Sequence, residues 1–331
     1  MSDICIIGAG ATGLLLLLLL QEANIPMSRI TIIDPHFDGG DLARRWTAVI
    51  SNTPWSKTVD SLKLACPSLV IPERFDPTST TPLAEIAHLL RFLATPILKK
   101  LTQIQGRLIS ANYNSSLNIW KLSLESGQTM ETRKLILTQG SEPKGMDLPI
   151  PSIPLEIALD ASRLKNYVKK DDTVIVFGTM HSGTIVIQNL ALMNAKVTAY
   201  YNTPKPFYWS RDNHYDGIKA DAADIADRIT DGSLPVTLVP IQDTAKLIRT
   251  SQDADWVVYA MGFTPRKIPL SIDGIPCSST EYDGENGRLL HAPAWGFGVA
   301  YPNRAPDGIH WDVSVASFLD HMKRQIPNII D

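Results

Sequence analysis

A chain of 331 residues, at about 150 per domain, suggests two domains, and 44% apolar content lets each bury its own core, which excludes disordered and miniprotein readings. Charged residues make up 20%, and 31 Lys+Arg against 34 Asp+Glu leave a net charge of −3 with no long run of either sign, which argues against a dedicated nucleic-acid binder or a polybasic membrane module. Cys5, Cys66 and Cys277 lie far apart without C-x-x-C or zinc spacing, so no disulfide framework and no metal site is expected, and a reducing cytoplasm is the expected compartment.

Residues 4–20 are almost uniformly apolar and end in seven leucines. A signal peptide would need a positive n-region and a small-residue cleavage site, and a membrane helix roughly 20 residues; this stretch has neither flank and contains Gly8, Gly10 and Gly13. It reads instead as a strand (residues 3–7), the turn G-A-G-A-T-G (8–13) and a helix (14–24) ahead of Pro26, followed by a second strand (29–34) ending in Asp34. Gly8 permits the tight turn, Gly10 lets the backbone approach a pyrophosphate, and Gly13 lets helix and strand pack closely. The helix N-terminus then faces the phosphates, while Asp34 can accept from a ribose hydroxyl. Strand, glycine turn, helix and acid in this order predict dinucleotide binding.

The same layout returns at residue 172, with a strand (172–177), G-T-M-H-S-G (178–183), a helix (184–194) and a strand (196–201). Gly178 and Gly183 are kept, with Ser182 between them in the turn, but Met180 replaces the middle glycine and obstructs the closest approach to a pyrophosphate. No acid ends the second strand; Tyr201 and Asn202 stand there, with Lys205 and Arg211 beyond, which favours NADP(H) over NAD(H). A Rossmann-like domain that has lost its nucleotide is the alternative.

Residues 134–143 (K-L-I-L-T-Q-G-S-E-P) and 256–265 (W-V-V-Y-A-M-G-F-T-P) each run a buried-type strand into T/A-x-G-x-x-P, where Gly140 and Gly262 turn the chain and proline fixes the exit. Together the four motifs resemble the flavoproteins with two dinucleotide-binding domains: thioredoxin reductases, the ferredoxin–NADP reductases of the same fold, and flavin-containing monooxygenases. The expected fold is α/β, with two Rossmann-like three-layer domains and the second inserted into the first: residues 1–150 and 263–331 for FAD, and 151–262 for NAD(P).

The resemblance implies FAD on Gly8, Gly10, Gly13 and Asp34, with Gly140 beneath it. Gly39-Gly40-Asp41-Leu42 matches a turn near the isoalloxazine, and Asn52-Thr53-Pro54 a polar segment beside its N5 edge. The strand around Leu108 would give backbone contacts to the adenine, and residues 106–133 a β-meander. Many relatives carry a Gly-Asp pair on the return segment whose acid binds the ribityl chain, whereas residues 295–302 read W-G-F-G-V-A-Y-P. Flavin contacts are therefore expected from Gly298 and from the backbone of Asp312 and Val313, where Asp312 would cap a last helix over 313–325.

Disulfide reductases of this class need a cysteine pair, and residues 39–55 and 155–262 contain no cysteine, so direct flavin chemistry remains. The expected function is NAD(P)H-dependent reduction of a small acceptor or carrier. The alternatives are a monooxygenase, which lacks support from any F-x-G-x-x-x-H stretch in 145–185 and from the short chain, and a non-enzymatic flavin-binding interaction protein. Candidate acid–base groups are His181, Asp212, His214 and His310, near the aromatic run Phe207-Tyr208-Trp209. Their bland readings are a helix start for His181, a solvated loop for residues 211–215 and a carbonyl contact for His310. Expected partners are a small-molecule substrate or electron acceptor, without nucleic acid or membrane, and a homodimer is compatible with this class.

Overall fold

The structure is a computed structural model. It describes residues 2–330 except 52, 208–209, 212–213, 216–220, 278–280, 290 and 306–310; for 210, 211, 214 and 215 it describes the backbone alone. The chain divides into two compact units, Met1–Glu142 with Pro265–Asp331, and Pro143–Thr264. The crossings thus fall at 142/143 and 264/265, whereas the sequence placed them at 150/151 and 262/263.

In the first unit, strand β1 (Ser2–Ile7) leads through the glycine turn to helix α1 (Ala11–Glu22) and strand β2 (Ile30–Asp34). The short helix α2 (Asp41–Arg44), then α3 (Trp55–Ala65) and α4 (Leu83–Leu98), precede strands β3 (Thr102–Gln105), β4 (Leu108–Asn114), β5 (Ile119–Leu124) and β6 (Thr129–Leu137). β3, β2, β1 and β6 lie side by side and parallel, with Ala294–Gly296 added along the far half of β6. The meander β4–β5–β6 is present and branches from the same sheet. Thr129–Thr132 of β6 pair with β5, and beyond them Leu135–Leu137 pair with Ala294–Gly296 instead.

β1 shows the period of two that a strand buried on both faces requires. Ile4 and Ile6 join a core with α1, α3, α4 and the C-terminal helix Val315–Ile330, while Cys5 and Ile7 join a second core under the meander. Helix α1 is apolar all round because sheet, α4 and the C-terminal helix all cover it; Leu14 to Leu20 are 0–3% exposed. Burial of each such leucine contributes about 1.5–3 kcal/mol relative to exposure, which outweighs the missing amphipathic pattern. No helix among the described residues is long and apolar enough to cross a membrane.

The second unit carries a parallel sheet in the order Thr237–Pro240, Lys196–Tyr201, Thr173–Phe177, Trp256–Tyr259, with helix His181–Leu192 following the glycine turn. This repeats the order β3, β2, β1, β6 of the first unit. The Phe177 ring lies between those of Tyr200 and Tyr259, at centroid distances of 5.4 and 5.5 Å, and helps fill this unit's core.

Candidate cofactor and active site

Gly8 has φ +105°, a left-handed conformation that favours glycine, and a Cβ there would stand 2.7 Å from the Thr138 carbonyl oxygen. Gly13 lies in the first turn of α1, which starts three residues earlier than the sequence suggested, and a Cβ on it would overlap the Gly8 carbonyl oxygen. Gly10 differs. Its φ of −75° and ψ of −172° suit any residue, and a Cβ there would meet only the Gly40 Cα, at 3.8 Å. Glycine at position 10 therefore leaves open space rather than relieving strain. Gly40, at φ +74°, packs back to back with it, and its own Cβ would lie 2.7 Å from the Gly10 Cα. The Thr138 hydroxyl reaches the carbonyl oxygens of Ile7 and Gly8, both at 2.9 Å, and locks the turn from beneath.

Asp34 is 6% exposed at the end of β2. Its Oδ2 accepts from the Ala9 N–H at 2.7 Å, and its Oδ1 from the N–H groups of His36 and Phe37 at 2.8 Å. The acid thus ties β2 to the glycine turn. A carboxylate offers about four acceptor sites, so one remains for a ligand hydroxyl. The chain beside Asp34 is Gly106, whose N–H donates to the Asp34 carbonyl oxygen. Leu108, expected near an adenine, places its side chain in the core under the meander.

An ion-pair network joins three of the sequence motifs. The Arg266 guanidinium donates to Glu142 Oε1 at 2.6 Å, to Asp41 Oδ2 at 2.5 Å and to the Gln139 carbonyl oxygen at 2.9 Å, and Arg45 donates to Glu142 Oε2 at 2.5 Å. Partial burial pushes the Glu142 carboxyl up, but the bonds from Arg45 and Arg266 win and hold it below the usual carboxylate range. Asp41 follows the Gly39-Gly40 turn, and the Arg266 N–H donates to the Gly140 carbonyl oxygen, so the network fixes the G-G turn, the T-Q-G segment and the return of the chain together. Sequence reading found the glycines and prolines of these motifs but not the charges that join them, since pairs such as 41 with 266 carry no local pattern.

On the return segment, Gly298 has φ +89° and presses on Thr12 in the first turn of α1, where a Cβ would overlap the Thr12 hydroxyl. Val299, the next residue along this segment, is 42% exposed. The expected cap is corrected. Asp312 ends the short strand Trp311–Asp312, Val313 is exposed, and Ser314 caps the helix through its Oγ, which accepts from the Ser317 N–H; the helix itself is Val315–Ile330. Asp312 Oδ1 accepts instead from the Ser314 N–H. The hydroxyl that directly precedes the first helical residue, two positions on from Asp312, is thus the cap in place of the acid. Asn52 and His310 lie outside the described residues; Thr53 is partly buried, its N–H donating to the Ser51 hydroxyl. Sequence reading missed His321, which is 1% exposed and meets Phe297 edge-on at 5.4 Å. Position 321 falls on the buried face of an amphipathic helix, the only signal that could have found it.

The second glycine turn copies the first. Gly178 has φ +106° and a Cβ on it would overlap the Ala260 carbonyl oxygen, while one on Gly183 would overlap the Gly178 carbonyl oxygen. Met180, at φ −84° and ψ −167°, adopts the Gly10 conformation without strain, so the turn survives while the methionine side chain takes up space that glycine leaves open. His181 is the first residue of its helix and Ser182 the second. Lys205 is exposed. Arg211 and His214 pair across the two-residue strands Ser210–Arg211 and His214–Tyr215, with side chains not described; Tyr208, Trp209 and Asp212 lie outside the described residues.

The three cysteines are free. Cys5 is in the core beneath β1, Cys66 is buried at the end of α3 in the core on the other face, and Cys277 is half-buried after Ile275–Pro276. Burial, with a smaller contribution from Glu22, pushes the Cys66 thiol up to about 11, and burial pushes Cys5 further still. Such thiols are poor nucleophiles at neutral pH. No group of His, Cys, Asp and Glu among the described residues could hold a metal ion.

No family model matches the chain. In sequence it is 26% identical over 381 aligned residues to Monooxygenase AgnR1 of Paecilomyces divaricatus, covering 97% of this chain and 96% of that protein. In structure it is similar to the bacillithiol disulfide reductase Bdr of Staphylococcus aureus, with a TM-score of 0.65 at 14% identity and coverage of 99% and 98%. A flavin-containing monooxygenase from Stenotrophomonas maltophilia gives the same TM-score and identity, covering 100% of this chain and 99% of that one. The fold is that of the flavoproteins with two dinucleotide-binding domains.

Proposed function

We propose that the protein is an FAD-dependent, NADPH-using oxidoreductase that works directly at the flavin, and within that class a monooxygenase for a small molecule. The observation that carries the flavin reading is the packing of Gly10 on Gly40. It leaves a cradle at the N-terminus of α1 that a side chain at position 10 would enter, with Asp34 and Thr138 holding the turn in shape. Backbone N–H groups and the helix dipole there suit a pyrophosphate, and Gly298 closes on Thr12 beside it.

FAD bound at this site would accept a hydride from NADPH and, once reduced, activate oxygen. The chain's own part is to hold and shield it. In the second unit, Gly178 and Gly183 would form the nucleotide turn, and Lys205, which is exposed, would meet a 2′-phosphate. The monooxygenase reading is supported by the full-length sequence similarity to a protein of that name and by three thiols that are separate and unactivated. The reductase reading keeps one observation in its favour, the lack of an F-x-G-x-x-x-H stretch in residues 145–185.

The deciding experiment mixes the FAD-loaded, anaerobically reduced protein with oxygenated buffer and follows absorbance. A monooxygenase shields its reduced flavin from water, so a transient lasting seconds or longer, distinct from both oxidised and reduced spectra, is expected. Immediate return to the oxidised spectrum with stoichiometric hydrogen peroxide would establish the reductase reading instead.

A further inference from the structure

Trp311 is 45% exposed, yet it is held from two sides. The Arg304 guanidinium lies over its ring, 4.4 Å from the centroid, and the strand Asn303–Arg304 pairs antiparallel with Trp311–Asp312. The edge of the indole fits against Gly284, where a Cβ would stand 2.5 Å from Trp311 Cζ3 and 3.0 Å from Cη2. Gly284 is not left-handed, so its backbone does not call for glycine, and the space it leaves open is the space the indole fills. The Arg304 N–H donates to the Gly284 carbonyl oxygen at 3.0 Å and ties the two supports together. Single exposed apolar side chains are ordinary on a surface; an exposed ring whose orientation is fixed in this way is preorganised for contact.

The sheet order says which part of a bound cofactor this ring adjoins. Strand β1 has β2 on one side and β6, with Ala294–Gly296 beyond it, on the other. A dinucleotide that spans the Gly8–Gly13 turn with one ribose at Asp34, the end of β2, sends its other arm to the β6 side, over the return segment. There Gly298 presses on Thr12 of α1. The chain then turns, the Tyr301 N–H donating to the Gly298 carbonyl oxygen at 3.0 Å, and Arg304 follows three residues on, at most about 10 Å of extended chain. Trp311, paired with Arg304, thus stands beside the arm that carries the reactive ring, and Val313, two residues further, is exposed as well. Aromatic rings gain from stacked or edge contacts beyond the area they bury, which saturated rings do not.

We infer that Trp311 is the platform on which the substrate rests, and that the substrate carries a planar aromatic ring. This rests on the flavin reading above and adds to it a substrate class and the residue that selects it.

The test uses the full-length protein loaded with FAD, whose uptake is read first, and labelled with fluorotryptophan; the Trp311 fluorine resonance is the one missing from Trp311→Phe. Naphthol and its saturated analogue decahydronaphthol are titrated, with binding followed by that resonance and by calorimetry. Native protein binds naphthol at least about ten-fold more tightly than the analogue, with a saturable shift of the Trp311 resonance. Trp311→Ala brings the two affinities within about three-fold of each other, whereas Trp311→Phe, which retains a planar ring, retains the preference. Equal affinity of native protein for both compounds, no binding of naphthol, an unmoved Trp311 resonance, or a full preference surviving in Trp311→Ala overturns the inference. If Trp311→Ala does not fold, the native resonance decides: its shift saturates at the same naphthol concentration as the heat of binding, and any other course overturns the inference. Failure to take up FAD is a distinct result, which removes the flavin reading itself and this inference with it.

Discussion

Gly40 packs onto Gly10 so closely that a Cβ at position 40 would lie 2.7 Å from the Gly10 Cα, whereas a Cβ at position 10 would find nothing nearer than the Gly40 Cα at 3.8 Å. The two glycines look alike in sequence and differ in what they do. Gly40→Ala meets both a left-handed φ and a backbone clash, and should lower stability by about 1–3 kcal/mol. Gly10→Ala should fold with stability within about 0.5 kcal/mol of native, yet bind FAD at least about ten-fold more weakly. Thermal denaturation of both apoproteins beside FAD titrations checks the pair; equal effects of the two substitutions on both readouts would remove the distinction.

In the second unit, Met180 already has the conformation of Gly10, so Met180→Gly changes space rather than backbone geometry. NADPH affinity should rise in this variant, at a stability cost of about 0.5–1 kcal/mol from the added freedom of glycine. NADPH should also reduce the flavin faster than NADH in native protein, and Lys205→Glu should narrow that difference. Anaerobic stopped-flow reduction with each nucleotide measures both; equal rates with NADPH and NADH would reject a 2′-phosphate contact.

The parts of this fold that sequence revealed are those with local patterns. Each glycine turn lies between a buried strand and a helix, so period, length and spacing sufficed to find the two Rossmann-like units in order. The Arg266 network was hidden because Asp41, Glu142 and Arg266 are far apart in sequence and charged residues look alike on a surface and in a cluster. Asp34 was found, but its three backbone bonds were not, since an acid ending a strand reads the same whether it waits for a ribose or holds a turn. The last helix was found and its cap misplaced, because Asp312 and Ser314 are both good capping residues and stand only two positions apart.

The cysteines give a chemical test. Cys277 is half-buried and should react with maleimide in the folded protein, while Cys5 and Cys66 should react only on unfolding. Replacing all three by Ala should leave NADPH-dependent turnover at least half of native once stability losses of about 1 kcal/mol per buried site are allowed for. Loss of turnover from Cys66→Ala or Cys277→Ala alone, with FAD still bound, would establish a thiol mechanism.

His321 makes stability depend on pH. Burial above all, and then Arg324, pull its pKa down to about 4, against weaker opposing effects from Asp320, the Glu285 carbonyl and Asp283. The unfolded chain protonates this group near 6.5, so between pH 6.5 and 4 the unfolded state binds more protons and stability falls as pH falls. The slope reaches at most about 1.4 kcal/mol per pH unit from this residue. His321→Phe should flatten that part of the profile in urea titrations from pH 4 to 7; an unchanged slope would show that other groups set it.

All of this depends on a flavin seated on the Gly8–Gly13 turn, and one measurement addresses that directly. The absorbance spectrum of the purified full-length protein is recorded before and after titration with FAD, and the supernatant after denaturation is analysed for flavin. Bound flavin bands, with FAD released on denaturation or taken up stoichiometrically by native protein and only weakly by Gly10→Ala, are the predicted result. A colourless protein that takes up no FAD, or one that Gly10→Ala leaves binding as tightly as native, would contradict the account.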